Sequence, residues 1–340
     1  MATFTAGAFG SDFDQLDLFS LLLGAASNTT ATTFTITTNG QVDNFIGSGF
    51  VFGSNGYPTA GSISQITEAY NSQVVFDLSG VNVTTQTLLG WASSSSNELA
   101  RQTMLGGADL INGSAFTDRL RGYGGNDTIN AGAGNDFVDS GEGNDQVFAG
   151  SGDDIIVDSG GTNYLRGEDG NDVIQGGSGF DDANGNMGND TINGGDGDDW
   201  SVGGKDNDLL FGDAGNDVVW GNLGDDTCDG GDGNDQVRGG QGNDSVSGGA
   251  GNDYVSGDRG DDTVTGGLGA DNFHSSQDAG IDRVLDFSLA QGDRVQLDPG
   301  TTYTVSQVGA DTVISMGGAN QMILVGVQLS SLTGNWIFLG

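Results

Sequence analysis

Apolar residues recur at every ninth position through the middle of this 340-residue chain. From Met104 to His274 the sequence divides into 19 nonapeptides without an insertion or deletion. The eighth residue is apolar in 18 of them, counting Ala183 and Cys228, with Ser201 as the exception. A short strand with one inward side chain, followed by a tight turn, would produce this period. The segment therefore predicts a repetitive β-structure with an internal apolar column.

Glycine and aspartate dominate the other positions of the repeat. The sixth residue is Asp in 18 copies, with Asn163 as the exception, and the fourth is Gly in 17, departing at Phe116 and Asp206. Glycine permits a tight turn with positive φ and leaves backbone carbonyls uncovered. Each sixth-position Asp adds a carboxylate to such a turn. The repeat therefore predicts turns that are rich in oxygen atoms.

The net charge indicates what those oxygen atoms bind. The formal charge is −38, with 47 Asp and Glu against 9 Lys and Arg, and 64 residues are glycine. Such a composition usually predicts disorder, but here the acids are evenly spaced, so neutralisation would allow order. A hard cation that prefers oxygen ligands is the obvious candidate. The charge argues against a nucleic-acid partner and against anionic lipid, and no apolar stretch reaches the length of a membrane-inserted segment.

The repeat resembles a known family. Copies such as Gly239-Gly-Gln-Gly-Asn-Asp244-Ser-Val-Ser247 resemble the G-G-x-G-x-D-x-U-x pattern of the repeats-in-toxin (RTX) family, over about half of the chain. The resemblance implies a parallel β-roll in which two repeats make one coil. It also implies that calcium sits between turns of neighbouring coils, held by backbone oxygens and Asp carboxylates. The implied metal ligands are Asp109, Asp118, Asp127, Asp136, Asp145, Asp154, Asp172, Asp181, Asp190, Asp199, Asp208, Asp217, Asp226, Asp235, Asp244, Asp253, Asp262 and Asp271.

Simple magnitudes agree with calcium as the cofactor. The repeats would give about 9.5 coils, or roughly 45 Å at a strand spacing of ~4.8 Å. Turns paired two repeats apart allow up to about 17 calcium ions, whose charge of about +34 would nearly cancel the formal −38. Without calcium the carboxylates repel one another, so folding and ion binding are expected to be one event. The weakest sites are expected near Asn163 and near Lys205 and Asp206, where the pattern breaks.

The segment before the repeats is rich in Thr, Ser and Asn. Alternating runs at 33–37 and 73–77 predict strands, and Asn-Gly pairs at 39–40 and 55–56 predict turns. Residues 13–25 predict a short amphipathic helix. Two further helices, at 85–92 and 96–105, are predicted to cover the first coil, because the end of a solenoid needs a cap. We expect a mostly all-β chain with a β-rich N-terminal domain at 1–84, a helical cap at 85–103, a calcium β-roll at 104–274 and a C-terminal antiparallel β cap at 275–340.

The last 66 residues, 275–340, lack the unbroken repeat. Runs at 282–287, 292–297 and 311–314 predict antiparallel strands that close the roll. This segment is similar to the C-terminal region of RTX proteins exported by type I secretion, which carries an uncleaved signal. The apolar ending at 336–339 fits such a signal, although an edge-capping strand would also explain it. Because the N-terminus lacks a basic signal region, we expect a bacterial protein exported to the cell surface or medium, where millimolar calcium folds it.

Residues suited to catalysis are scarce. The chain contains one histidine, His274, so it has no H-E-x-x-H zinc helix, and no G-x-S-x-G nucleophile elbow occurs. Cys228 occupies an inward eighth position, which favours a packed small side chain over a nucleophile. We therefore expect that the protein is not an enzyme. A glycosidase-type pair formed by Asp77 and Glu68 remains an alternative.

The seventh and ninth residues of each copy are expected to point outward. From Gln236 to Thr265 they are nearly all polar, Ser256 included and Tyr254 excepted, so this stretch predicts a solvent-facing surface. Earlier copies place apolar residues on both faces, which indicates contact surfaces. One face carries Phe148, Tyr164, Trp200, Val202, Val218 and Trp220, and the other carries Phe137, Ile155, Val157, Val173, Leu209 and Phe211.

Two functions are consistent with these outward positions. The first is a structural protein that self-associates into a surface layer, filament or extracellular matrix. The second is a calcium-stabilised adhesin in which residues 1–103 hold a protein ligand or a cell-surface glycan. Docking of residues 1–103 over one face would explain part of the apolar surface, but that segment is too small to cover both faces. Self-association is therefore the leading hypothesis.

Overall fold

A computed structural model describes residues 3–6, 25–27, 33–38, 41–52, 58–70, 73–84, 102 and 105–340. These residues form two compact units that divide between Gly160 and Gly161. Their regular structure is almost entirely β-strand, which confirms the all-β fold class. No helix in this described part of the chain is long and apolar enough to cross a membrane. The predicted turns at 39–40 and 55–56 lie outside it, as do residues 13–24 of the helix predicted at 13–25 and nearly all residues of the helices predicted at 85–92 and 96–105; Ala25 itself begins a strand.

The first unit begins with an antiparallel sheet. Strands β2 to β6 pair antiparallel in chain order, and the long β4–β5 and β5–β6 registers include bulges. Strand β1 then pairs antiparallel with β6 and parallel with β7, so that Phe4 lies beside Ile111. The antiparallel sheet thus covers the first edge of the repeat ladder. Its strands are β1 (Thr3–Ala6), β2 (Ala25–Ser27), β3 (Thr33–Thr38), β4 (Gln41–Phe52), β5 (Pro58–Tyr70) and β6 (Gln73–Thr84).

The rest of the first unit is a parallel solenoid. Strands from alternate repeats stack into two ladders, and the register places each residue beside the one 18 positions later, as Ile129 beside Val147. Two nonapeptides therefore make one coil, as the resemblance implied. One ladder is β7 (Leu110–Ser114), β9 (Thr128–Ala133) and β11 (Gln146–Ser151), and the other is β8 (Arg119–Arg121), β10 (Phe137–Asp139) and β12 (Ile155–Val157).

The second unit repeats this architecture with two longer ladders. Their registers keep the spacing of 18 residues up to Asn272 and His274. The odd ladder is β13 (Asn163–Asp169), β15 (Asp181–Met187), β17 (Trp200–Lys205), β19 (Val218–Leu223), β21 (Gln236–Gln241), β23 (Tyr254–Arg259), β25 (Asn272–Ser275), β27 (Arg294–Leu297) and β31 (Ile337–Leu339). The even ladder is β14 (Val173–Gln175), β16 (Thr191–Asp196), β18 (Leu209–Ala214), β20 (Thr227–Asp232), β22 (Ser245–Ala250), β24 (Thr263–Leu268), β26 (Ile281–Val284) and β30 (Gln321–Leu324).

The segment after the repeats corrects the sequence prediction in part. Antiparallel pairing occurs only among β28 (Thr304–Val308), β29 (Asp311–Ser315) and β30, followed by a 3-10 helix at Leu329–Ser331. Strands β26 and β27, by contrast, extend the two ladders in parallel. The prediction of antiparallel strands at 282–287 and 292–297 is therefore wrong. Both strands keep an inward apolar residue two positions after an Asp, so they add to the parallel stack like the repeats before them.

The core is the column of eighth-position side chains. Every one of them, from Ile111 to Phe273, is buried, including the two atypical members Ser201 and Cys228. The strands turn this side chain inward together with a small first-position residue of the next repeat, such as Ala131 or Ala149, so one large apolar residue per repeat is enough to build the column. The seventh and ninth positions remain exposed or half-buried where the sequence placed apolar residues, as with Trp200 at 49% and Ile155 at 42% exposure. Outward apolar faces are thus present in both units.

Candidate metal centre

The sixth-position Asp residues form rows that are linked by hydrogen bonds. Along each row, the backbone N–H of one Asp donates to Oδ1 of the Asp 18 residues later, as from Asp199 to Asp217 at 2.7 Å. The same bond recurs with lengths of 2.7 to 3.1 Å in both units. All 18 carboxylates predicted as metal ligands are buried, at 4% exposure or less. The rows place like charges beside one another with little access to water.

The second carboxylate oxygen is the important atom. In twelve of these residues Oδ2 is buried and has no hydrogen-bond partner among the residues that the structure describes. A buried acceptor without a partner is costly, and a buried charge without one costs more. A positively charged group beside these oxygens would remove this free-energy cost. The twelve residues are Asp127, Asp136, Asp190, Asp199, Asp208, Asp217, Asp226, Asp235, Asp244, Asp253, Asp262 and Asp271.

In most repeats the first residue is glycine, which leaves space beside this oxygen. A Cβ added to Gly230 would lie 2.5 Å from Oδ2 of Asp235 and 2.5 Å from the carbonyl oxygen of Gly248 in the next coil. At Gly194 the corresponding distances, to Asp199 and Gly212, are both 2.9 Å. Glycine suits these two positions because a Cβ would meet one oxygen of its own repeat and one of the next coil. At the second position the reason is conformational, since Gly249 has a φ of 105°.

Burial and like charges both disfavour the ionised form of these carboxylates. Burial, the largest cause, raises the pKa of Asp217 to about 7, and the charges of Asp235 and Asp199 raise it further, while the N–H of Asp199 lowers it. Burial raises the pKa of Asp208 to about 8 in the same way. The pKa values of Asp127, Asp190, Asp244 and Asp253 are raised to about 7. A divalent cation beside each oxygen would reverse these shifts.

The donor set fits calcium. Each position offers carboxylate and carbonyl oxygens but no nitrogen or sulfur ligand, and this is the chemistry that Ca²⁺ prefers. No group of three Asp, Glu, His or Cys side chains converges anywhere in the described part of the chain. The remaining ligands of a calcium ion would therefore be backbone carbonyls of the glycine turns. The sixth-position Asp residues whose Oδ2 has no partner would hold the ions, and the ions would supply the charge that neutralises them.

In each of the two rows, one position has additional hydrogen bonds from protein side chains or backbone. Asn163 interrupts one row, and its side-chain amide donates to Oδ1 of Asp181 at 2.7 Å. Asp118 accepts both the backbone N–H and the hydroxyl of Ser114 at Oδ2, at 2.7 and 2.8 Å. At Asp118, protein donors thus reach the Oδ2 atom that has no partner in the twelve residues named above, whereas at Asn163 the amide adds a donor to Oδ1 of Asp181. The expectation of a weak site near Asn163 remains a prediction, and Asp118 is a further position of the same kind.

Sequence reasoning missed two members of the rows. Asp282 precedes Arg283, which pairs with Thr263, so it occupies the sixth position after Asp262. The backbone N–H of Asp271 donates to Oδ1 of Asp293 at 3.1 Å, which makes Asp293 the next member of the other row. The spacing of 11 residues from 271 to 282 and from 282 to 293 hides both. The shared triplet Asp-Arg-Val was the available signal.

The only histidine lies in a second polar cluster. His274 Nδ1 lies 3.2 Å from Oγ of Ser256, and its Nε2 lies 3.2 Å from Oδ1 of Asp298. The Ser256 hydroxyl donates to Asp258, which also forms a two-point ion pair with Arg238. Ser256 is fully buried, so the predicted solvent exposure of this residue is wrong, and its hydroxyl is closed to substrates. The reason is the ring of Tyr254, which stacks on His274 beside it.

The repeats match one family of known proteins. The family model described as the RTX calcium-binding nonapeptide repeat (4 copies) matches in overlapping blocks that span residues 105–273. The crystal structure of the extracellular lipase LipA from Serratia marcescens is similar at 17% identity and a TM-score of 0.30, over 68% of this chain and 40% of the lipase. A subunit of the mannuronan C5-epimerase from Azotobacter vinelandii is similar at 23% identity and a TM-score of 0.19, over 47% of this chain and 78% of the subunit. No curated protein matches the sequence.

Proposed function

Since the chain belongs to the RTX calcium-binding family through the repeats at 105–273, we propose that it is a secreted structural protein that folds on calcium and then self-associates. The product would be a surface layer, a filament or an extracellular matrix. RTX repeats are typical of extracellular bacterial proteins, which supports secretion. The observation that carries the proposal is that the same repeats combine two features. Their buried carboxylates have oxygens without a partner, and their strands place apolar side chains on the outside.

Calcium control of folding is supported by the state of the carboxylates. Oδ2 atoms without partners lie in rows through both units, and burial raises the pKa of their carboxyl groups. A chain without calcium would have to bury these charges or protonate them. Calcium binding therefore contributes directly to folding free energy. Low calcium would keep the chain unfolded, and the higher calcium concentration outside a cell would fold it.

Self-association is supported by one cluster in the second unit, which we call the aromatic face. It consists of Phe180, Trp200, Val202, Val218 and Trp220. The register places Trp200 beside Val218 and Val202 beside Trp220 on strands β17 and β19. The rings of Phe180 and Trp200 meet edge-on with 6.4 Å between their centroids. Contiguous apolar side chains on an outer sheet are typical of protein–protein contacts, and the repetitive surface favours a second copy of the chain.

The test is calcium-dependent assembly of the full chain. Small-angle scattering and electron microscopy should show particles that grow when calcium is added and shrink when a chelator removes it. The double variant Trp200→Ser/Val218→Ser should still bind calcium and fold, but remain monomeric. Leu268→Ser is the matched control, because Leu268 is 70% exposed but lies outside the aromatic face; this variant should assemble like the wild type.

Two outcomes would count against self-association. Wild-type particles of monomer size in calcium would contradict it directly, and unchanged assembly of the double variant would show that the aromatic face is not the contact. A folded monomer that binds an immobilised cell-surface glycan would favour the adhesin alternative. Calcium-dependent folding is measured separately from assembly, by circular dichroism. A failure of assembly therefore leaves the calcium-dependent folding of the chain testable in its own right.

A further inference from the structure

A cleft opens on the odd ladder of the second unit, near the C-terminal end of the repeats. It is lined by Gly240, the second residue of its repeat, where a Cβ would collide with the carbonyl oxygen of Asn222. The register places Asn222 one coil before Gly240 and Asp258 one coil after it, and both also line the cleft. A glycine between two larger residues thus leaves a depression of about 420 Å³.

The two residues beside this glycine hold a backbone conformation that favours glycine. The φ angles of Asn222 and Asp258 are 78° and 70°, and that of Gly240 is 117°. A side chain at positive φ carries a conformational cost, and residues of this kind concentrate at functional sites. The chain therefore keeps an amide and a carboxylate at the cleft where the repeat pattern would place glycine.

Three ion pairs surround the cleft. They are Arg238 with Asp258 at 2.9 Å, Arg259 with Asp278 at 2.8 Å and His274 with Asp298 at 3.2 Å. Two of the nine Lys and Arg residues and the single histidine of the chain are thus gathered at one place. Each positive group has its own carboxylate, so the lining is balanced in charge although the chain as a whole carries −38.

The hydrogen bonds around His274 require that its ring is charged. The Ser256 hydroxyl has one hydrogen, which it donates to Oδ1 of Asp258 at 2.7 Å. Its oxygen is therefore left to accept from Nδ1 of His274, 3.2 Å away. Nε2 lies 3.2 Å from Oδ1 of Asp298, and an ionised carboxylate only accepts. Both ring nitrogens therefore donate, which makes the contact with Asp298 an ion pair.

This lining fits a neutral ligand that forms many hydrogen bonds. An anion would be held by an excess of positive groups and a cation by an excess of carboxylates, and three balanced pairs supply neither. The amides of Asn222 and Gln241 add further donors and acceptors. Trp220 borders an adjoining depression of about 250 Å³ that shares Arg238 and Gly240 with the cleft. Sugars match this combination, because their hydroxyls both donate and accept and their C–H faces pack on indole rings.

We propose that this cleft binds a neutral oligosaccharide. The strands that line it, from β19 to the end of β27, cover four spacings of the odd ladder, or roughly 19 Å. That length accommodates a short chain of sugar rings. The site gives the roll a ligand-binding function of its own, beyond folding on calcium and self-association, and it does not involve residues 1–103.

The test measures binding of tetrasaccharides to the full chain in calcium, at a protein concentration where light scattering reports single particles. Titration calorimetry compares neutral tetrasaccharides of glucose, galactose, mannose and N-acetylglucosamine with charged ones of galacturonate and glucosamine. Asn222→Gly removes an amide from the lining and places glycine at a positive φ, so this variant should keep the fold. We expect it to raise the dissociation constant of a neutral tetrasaccharide about three- to tenfold, the effect of losing one hydrogen bond.

Asn186→Gly is the matched control. It makes the same change at a φ of 77°, two coils earlier on the same ladder and outside the lining of the cleft, so it should leave binding unchanged. A weaker neutral complex in Asn222→Gly alone would support the site. No neutral binding to a chain that circular dichroism shows to be folded, or tighter binding of a charged tetrasaccharide, would overturn it. Neutral binding that Asn222→Gly leaves unchanged would place the sugar elsewhere and overturn it too. None of these outcomes depends on self-association.

Discussion

Protons should partly replace calcium in folding this chain. Burial raises the pKa of Asp217 from 3.8 to about 7, and Asp127, Asp190, Asp244 and Asp253 behave alike. A folded-state pKa above the unfolded value means that the fold binds the proton more tightly. The stability that each group contributes is therefore fully present below about pH 4 and is lost as the pH rises through about 7.

The size of the effect follows from the shift. One pKa unit corresponds to about 1.4 kcal/mol, so a rise of about three units costs the calcium-free fold up to about 4 kcal/mol per carboxyl at pH 7. Acidification from pH 7 to pH 5 would recover roughly 2 kcal/mol of this for each group. Several such groups act together, although neighbours in one row share charge and do not add independently. A few such groups together would be comparable with the ~5–15 kcal/mol net stability of an ordinary domain.

Far-UV circular dichroism and hydrogen exchange in a chelator are the appropriate assays. The β-signal of the calcium-free chain should increase between pH 8 and pH 5, with protection appearing first in the repeat strands. Measurements should stop above the isoelectric point of about 4.1, where precipitation would interfere. The same pH change in excess calcium should leave the signal constant until calcium is released. A calcium-free chain that is equally folded at pH 8 and in calcium, or that gains no structure at pH 5, would refute the reasoning.

Three further predictions concern single residues. Gly230→Ala should lower the number of bound calcium ions and destabilise the roll by ~1–3 kcal/mol in a denaturation assay, because its Cβ would lie 2.5 Å from two oxygens. Gly107→Ala is the control and should be neutral, because a Cβ there would meet nothing within 4 Å. Cys228 is buried, which raises its pKa well above the usual value, so iodoacetamide should modify it in chelator but not in calcium; equal rates would contradict its place in the core. Asn163→Asp removes an amide donor to Asp181 and adds a carboxylate, so calorimetry should show stronger calcium binding and circular dichroism a less folded calcium-free state; unchanged titrations would contradict this.

The repeat itself could be predicted from the sequence because its period is unbroken. A fixed spacing of nine residues determines which side chains point inward, so the column from Ile111 to Phe273 and the rows of Asp follow from the register alone. The state of the carboxylate oxygens could not be predicted in this way. Whether Oδ2 remains without a partner, or accepts N–H groups as in Asp118 and Asp293, depends on local turn geometry that the repeat does not encode.

Two features escaped prediction for different physical reasons. Two extra residues before each of Asp282 and Asp293 lengthen the spacing from nine to 11 residues and so interrupt the period. The strands still stack in parallel. Ser256 was expected in solvent because it occupies an outward position. Larger neighbours, Tyr254 and His274, cover it, and Asp258 supplies an acceptor for its hydroxyl. An outward position in this roll is thus buried where larger neighbours cover it.

A crystal structure grown in calcium, with anomalous differences measured near the calcium edge, tests the central claim most directly. The account predicts peaks about 2.3–2.6 Å from the carboxylate oxygens, beside Oδ2 of residues such as Asp217 and Asp235 and next to the carbonyls of the first glycines of the next coil. Folded crystals with peaks only on the surface, or with water or a backbone donor at those buried oxygens, would contradict it.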